Sequence, residues 1–150
     1  MASKKGRAII KRSEKPLSKI RNFDTELFKW SFKSYYSEHE CWCGLDGNDV
    51  ITNIIHKLED YSTQTWSIVK TASGGKGKNG GSNNHFISAN NLPKDYKEQY
   101  IESKYMRDYE QVFSLRLTAK KRLIGYVSMG TFYPLWYDND HSVFPVKYKR

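Results

Sequence analysis

The sequence predicts an α+β fold: an antiparallel sheet with a C-terminal three-strand meander packed against two to three helices, preceded by a basic, flexible N-terminal arm. Three observations predict it. From 113 onward, apolar and polar residues alternate with the period of half-buried strands. Between 50 and 58 the apolar residues recur at helical spacing instead. The order of strand, helices and then consecutive strands is that of a segregated α+β domain. A chain of 150 residues can bury a real core in one domain. Residues 23–150 are therefore read as one unit, and 1–22 as the arm.

The arm contains Pro16 and dense positive charge, which argue against a long helix. Leu27 to Tyr36 alternates, with Phe28, Trp30 and Phe32 on one side and Lys29, Ser31 and Lys33 on the other, and predicts a strand. Ser37–Glu40 makes a turn, and 40–45 predicts a return strand. Asp46-Gly-Asn-Asp49 is suited to cap a helix carrying Val50, Ile51, Ile54, Ile55 and Leu58. Ser62 or Thr63 would cap a second helix over 64–70. Residues 71–85 hold five glycines with Lys76 and Lys78, and predict a flexible loop. The loop lacks the Gly-x4-Gly-Lys-Ser/Thr pattern of a phosphate-binding P-loop.

Pro93 opens a third helix through Tyr96, Tyr100, Ile101 and Tyr105. Phe113, Leu115 and Leu117 then face one side of a strand. Residues 122–127 and 131–137 supply two more strands around a Met129-Gly130 turn. Pro134 cannot donate a ladder hydrogen bond, so its strand lies at an edge or carries a bulge. Val143 to Val146 would add a short last strand.

The net charge of +9 is concentrated at one end: residues 1–21 hold eight Lys or Arg and one acidic residue, a net +7. Basic arms of this kind sit on nucleic acid, because each neutralised phosphate releases counterions. Lys4, Lys5, Arg7, Lys11 and Arg12 are the candidate contacts there; Lys76, Lys78, Lys120 and Lys121 are further ones. A solubilising terminus without a partner is the plainer alternative. Two cysteines, Cys41 and Cys43, are too few for a four-ligand zinc site and read as reduced thiols. No membrane-spanning stretch or signal peptide is read, so the expected location is the cytoplasm. No cofactor and no metal are expected. Asp138 and Asp140 are weak candidates for a divalent cation.

Phe113-Ser-Leu-Arg-Leu, Lys121-Arg-Leu-Ile-Gly-Tyr and Thr131-Phe-Tyr-Pro-Leu-Trp-Tyr-Asp resemble the closing meander of RelE/ParE-like toxins. Trp136, Asp138 and His141 also make a W-x-D-x-x-H pattern similar to one in small prokaryotic and phage proteins. The toxin resemblance implies an RNA-binding concave sheet and metal-independent, ribosome-associated endoribonuclease chemistry. It implies Arg116 and Arg122 as phosphate ligands, with Lys120 and Lys121 as helpers. His141 would be general acid or base, and Tyr126 or Tyr133 would stack or transfer protons. The chain departs from the family in its arm, its glycine-rich insertion and the segment after His141.

Plainer roles stand beside these. Arg116 and Arg122, read as lying near opposite strand ends, would pair with Glu110 or Asp138. His141 would be a turn residue, and His85 would join it as a second imidazole or half a metal site. The partners implied are RNA or a ribonucleoprotein, with a cognate antitoxin or a host effector as a protein partner. The alternative function is a non-enzymatic inhibitor, encoded by phage or plasmid, that binds a host nucleic-acid-targeting complex.

Overall fold

The computed structural model describes residues 22–72, 83–103 and 108–144. The fold is α+β, with strands β1 Lys29–Trp30, β2 His85–Ser88, β3 Gln111–Arg116, β4 Arg122–Ser128 and β5 Thr131–Asp138. Helix α1 runs through an α-helical turn Gly47–Asp49, a π-helical stretch Val50–Ile55 and an α-helical His56–Tyr61. Helices α2 and α3 are Trp66–Thr71 and Lys94–Glu102. Two short 3₁₀ turns lie at Glu40–Trp42 and Ala89–Asn91. The sheet order is β1-β5-β4-β3-β2, and every neighbouring pair is antiparallel except β1 with β5.

The predicted meander is β3-β4-β5. Its alternation serves two cores, because both faces of the sheet are covered. Phe113, Leu115, Leu117, Leu123 and Phe132 join Ile54 and Leu58 of α1 and Trp66 and Val69 of α2. Val112, Ile124, Leu135 and Trp136 join Leu92, Tyr100 of α3 and Val143.

Local chemistry sets the element ends. Asp46 Oδ1 accepts from Asp49 N at 2.8 Å and starts α1 as expected. The cap of α2 falls later than read: Thr65 Oγ1, not Ser62 or Thr63, accepts from Ile68 N. At the Met129–Gly130 turn both residues have positive φ, 52° and 83°, the twist that a two-residue hairpin needs.

Pro134 marks a bulge and not an edge, since β5 lies between β1 and β4. The β4–β5 register shifts there: Ile124 faces Trp136, but Gly125 faces Pro134, and Leu135 is the extra residue. The bulge explains the glycine. A Cβ at 125 would collide with the Tyr133 carbonyl oxygen and lie 2.7 Å from Pro134 Cα.

Three readings are corrected. The strand over 27–36 shrinks to β1, because the chain turns back where Tyr35 N donates to Phe32 O. The return strand over 40–45 is a 3₁₀ turn, started by His39 Nδ1 accepting from Cys41 N at 3.0 Å. The loop reading of 71–85 fails at both ends, since Thr71 belongs to α2 and His85–Ser88 forms β2 along the open side of β3; residues 73–82 lie outside the described residues. Both cysteines are free. No last strand forms over 143–144, and 145–146 lie outside the described residues. Among the described residues, no helix is long and apolar enough to cross a membrane.

Candidate functional site

The candidate site is the strand end where β3 runs into the Thr118–Lys121 turn and β4 leaves it. Arg116 ends β3 and Arg122 begins β4, and the antiparallel register sets them directly opposite one another. They lie at opposite strand ends, the C-terminal end of β3 and the N-terminal end of β4, and the hairpin brings those to one end of the sheet. Arg122 in turn sits opposite Asp138 of β5. Like charges directly opposite on a sheet repel, so something else must hold the pair in place.

Neutral oxygens hold it. Arg122 Nη1 donates to the carbonyls of Thr118 at 2.7 Å, Lys121 at 3.1 Å and Ala119 at 3.3 Å, bracing its own turn. Arg116 Nη1 donates to Asn83 Oδ1 at 2.9 Å. The Arg116 backbone is fixed as well: its N–H donates to Asn84 Oδ1 at 2.7 Å, and its carbonyl accepts from Tyr61 Oη at 2.7 Å. Buried Asn84 ties this end to α2 by donating from Nδ2 to Val69 O at 2.9 Å. Among the described residues, neither guanidinium forms an ion pair with a carboxylate.

Asp138, the expected alternative partner of these arginines, is spent elsewhere. Its buried carboxylate accepts from Ser142 N at 2.9 Å and Val143 N at 3.0 Å, and from Ser142 Oγ at 3.4 Å. Those bonds close the turn that carries His141, whose φ is 61°. Left-handed backbone is uncommon outside glycine, with His among the residues enriched there. His141 is thus a turn residue, as the plainer reading had it, in a turn that returns it to the arginine end.

The electrostatics agree with that proximity. Burial lowers the His141 pKa, and the Arg122 charge lowers it further; Asp138 and Asp140 oppose, and His85 lowers it. Burial also disfavours the cationic form of Arg122, followed by the like charge of Arg116, with Asp138 opposing. A partly desolvated Arg122 opposite a second guanidinium is relieved by an anion. Two guanidiniums so placed can grip a phosphate.

The other candidates scatter. Lys121 Nζ donates to Asn139 Oδ1 at 2.8 Å beside the site, and Lys120 is exposed on the same turn. Tyr126 is four residues along β4 from Arg122, roughly 13 Å away at strand rise. There it stacks between Tyr109 and Tyr133, with centroids 4.9 and 5.0 Å apart. It belongs to the opposite end of the meander. Lys4, Lys5, Arg7, Lys11, Arg12, Lys76 and Lys78 lie outside the described residues.

Asn83, Asn84 and Tyr61 were not singled out from the sequence, although they position Arg116. Asn83 and Asn84 follow the glycine-rich stretch directly, and a polar pair bordering a loop was the signal available. Among the described residues, no three His, Cys, Asp or Glu side chains converge as a metal-binding group. Set against family models, curated proteins and solved structures, the chain finds no match in any of the three.

Proposed function

We propose that the chain binds RNA at the β3–β4 strand end and cleaves it there as an endoribonuclease. One observation carries this reading: Arg116 and Arg122 face each other without a carboxylate bonded to either, and the turn that Asp138 closes sets His141 at the same strand end. Guanidiniums grip phosphate oxygens in pairs and oppose charge that develops in a transition state. RNA brings its own nucleophile. The 2′-oxygen attacks phosphorus while neutral His141 takes its proton. The bond from phosphorus to the 5′-oxygen breaks, and His85, starting as the imidazolium, gives its proton to that oxygen. The products are a 2′,3′-cyclic phosphate and a 5′-hydroxyl, by a route built on proton transfer and charge stabilisation alone. The meander's resemblance to RelE/ParE-like toxins supports the same chemistry and suggests the ribosome as the setting.

The test is incubation of the full chain with end-labelled single-stranded RNA, with and without ribosomes, with EDTA present. We expect cyclic-phosphate ends on the RNA and an intact all-deoxy oligonucleotide. His141→Ala should slow cleavage by about a hundredfold or more, and Arg116→Ala should weaken RNA retention as well. Intact RNA in both settings, with retention indifferent to Arg116→Ala, would overturn the reading. Retention without cleavage would leave a non-enzymatic binder, such as an inhibitor of a nucleic-acid-targeting complex. The three carbonyls already bonded to Arg122 favour that second reading, since they give the guanidinium a purely structural task.

A further inference from the structure

The opposite end of the meander carries a cleft that the cleavage reading does not use. Its cavity is about 400 Å³, within the range that small ligands occupy. Lys33, Ser34, Asp108, Tyr109, Tyr126, Ser128 and Tyr133 line it, and three of those are a stack of rings. Tyr109 and Tyr126 are 19° from parallel, and Tyr126 and Tyr133 are 20° from parallel. The stack is held in place by its hydroxyls. Tyr126 Oη lies 2.8 Å from Ser34 Oγ, and Tyr109 Oη donates to Ser128 Oγ at 2.6 Å. Its Tyr133 end is half-buried, and the Lys33 ammonium lies 5.6 Å from that ring's centroid.

Two features of this cleft select a ligand. A preorganised aromatic stack ending on a half-buried ring, with the flexible Lys33 side chain over it, continues most readily with another flat ring once that side chain moves aside. An exposed ammonium beside that ring gives an anion attached to the same ligand a partner. A nucleotide unit has both parts, a π-faced base and a phosphate, and aromatic stacking of unpaired bases is tolerant of base identity.

We propose that this cleft binds one unpaired nucleotide, its base against Tyr133 and its phosphate on Lys33. The proposal deepens the RNA reading and rests on it for the strand that would deliver the nucleotide. A free mononucleotide presents the same chemistry. Lys33 leaves the ring for the phosphate on binding, which its exposed, flexible stem allows. Asp108 adds a carboxylate to the lining.

The experiment is calorimetric titration of the full chain with ribonucleoside 5′-monophosphates, with the nucleosides alone, with inorganic phosphate and with a short single-stranded RNA. Saturable binding of a monophosphate is expected, weakened about tenfold by Tyr133→Leu and weakened also by Lys33→Ala. Both positions are at least partly exposed, so both variants should fold, and far-UV circular dichroism checks this. Competition between the RNA and the monophosphate assigns the cleft to an RNA strand; its absence assigns it to free nucleotide, and either result supports the site. No saturable binding of any probe, or binding unchanged by both variants, overturns it. Arg116→Ala separates the two ends: it should abolish cleavage and leave monophosphate binding intact. If that substitution removes the binding and the cleft variants do not, the cleft proposal falls and the cleavage reading stands.

Discussion

The two ends of the meander are built from the same three strands and hold their polar groups by opposite means. At the Met129–Gly130 end Lys33 and Asp108 line the cleft, but the bonds that hold the end together are between neutral groups on different elements. Tyrosine hydroxyls meet serine hydroxyls, and the Trp66 indole N–H donates to Gly130 O at 2.8 Å. At the Thr118–Lys121 end the groups are ionic and are held by neutral partners, the backbone and asparagine side chains. Arg122 is held by carbonyls, and Asp138 by amides. The contrast teaches how a sheet can keep charge available. Had Asp138 bonded Arg122, each would have cancelled the other. Since each bonds the backbone instead, the cations stay un-neutralised where an anion could use them.

Breaking the neutral end should have the largest effect. Trp66 is fully buried against Phe28, Phe113 and Phe23. Trp66→Ala should cost about 4 kcal/mol of stability, the usual scale for emptying a large aromatic site. Urea unfolding followed by circular dichroism measures it as a lower midpoint at similar slope. Loss of RNA retention along the same unfolding curve would show that the two ends fold as one cooperative unit.

The ionic end should break more locally. Asp138→Ala strands the amides of Ser142 and Val143, at a cost of about 2 kcal/mol, typical for hydrogen bonds to a charged group. It also frees the turn that carries His141. Cleavage should therefore fall further than the stability loss alone explains, while Arg116 still retains RNA. Equal falls in cleavage and retention would show that the turn only braces the fold and does not position the imidazole.

Most of the neutral end was legible in the sequence, and much of the ionic end was not. Alternation through Phe113, Leu115 and Leu117 and the Met129-Gly130 turn are local signals, and both survive in the structure. Pro134 signalled irregularity, but only the strand order could say that it was a bulge. β2 escaped because four residues carrying a single large ring, Phe86, follow a glycine-rich stretch, too short for a period to register. The aromatic run from Trp30 to Tyr36 looked like a strand because half-buried rings alternate there. Those rings instead pack around one another in a turning segment, as in the Phe32–Trp42 and Tyr35–Trp42 contacts. The facing of Arg116 and Arg122 could have been read from the hairpin, since a short turn pairs the residue entering it with the one leaving. The backbone bonds of Arg122 and Asp138 could not, because they depend on where carbonyls and amides point after the turns close.

The finest discrimination between the ends comes from pH. Burial and Arg122 hold the His141 pKa below its ordinary 6.5, so the neutral imidazole a general base requires persists on the acid side of that value. The acid limb of cleavage against pH should lie below pH 6.5. Arg122→Met removes a charge that lowers the pKa, so the limb should move up towards 6.5. Asp138→Asn removes a charge that raises it, so the limb should move further down. Tyr133→Leu, at the neutral end, should leave the limb where it is. Stability alone would not discriminate. The His39 pKa is also lowered by burial, against the opposing charges of Glu40 and Asp95. For both histidines the contribution to stability is complete above 6.5 and is lost as the pH falls through the lowered value. Unfolding measurements therefore sum both groups, whereas the cleavage limb reports the imidazole beside the arginines. A limb at 6.5 or above in the unaltered protein, or one that ignores Arg122→Met, would show that another group takes the proton.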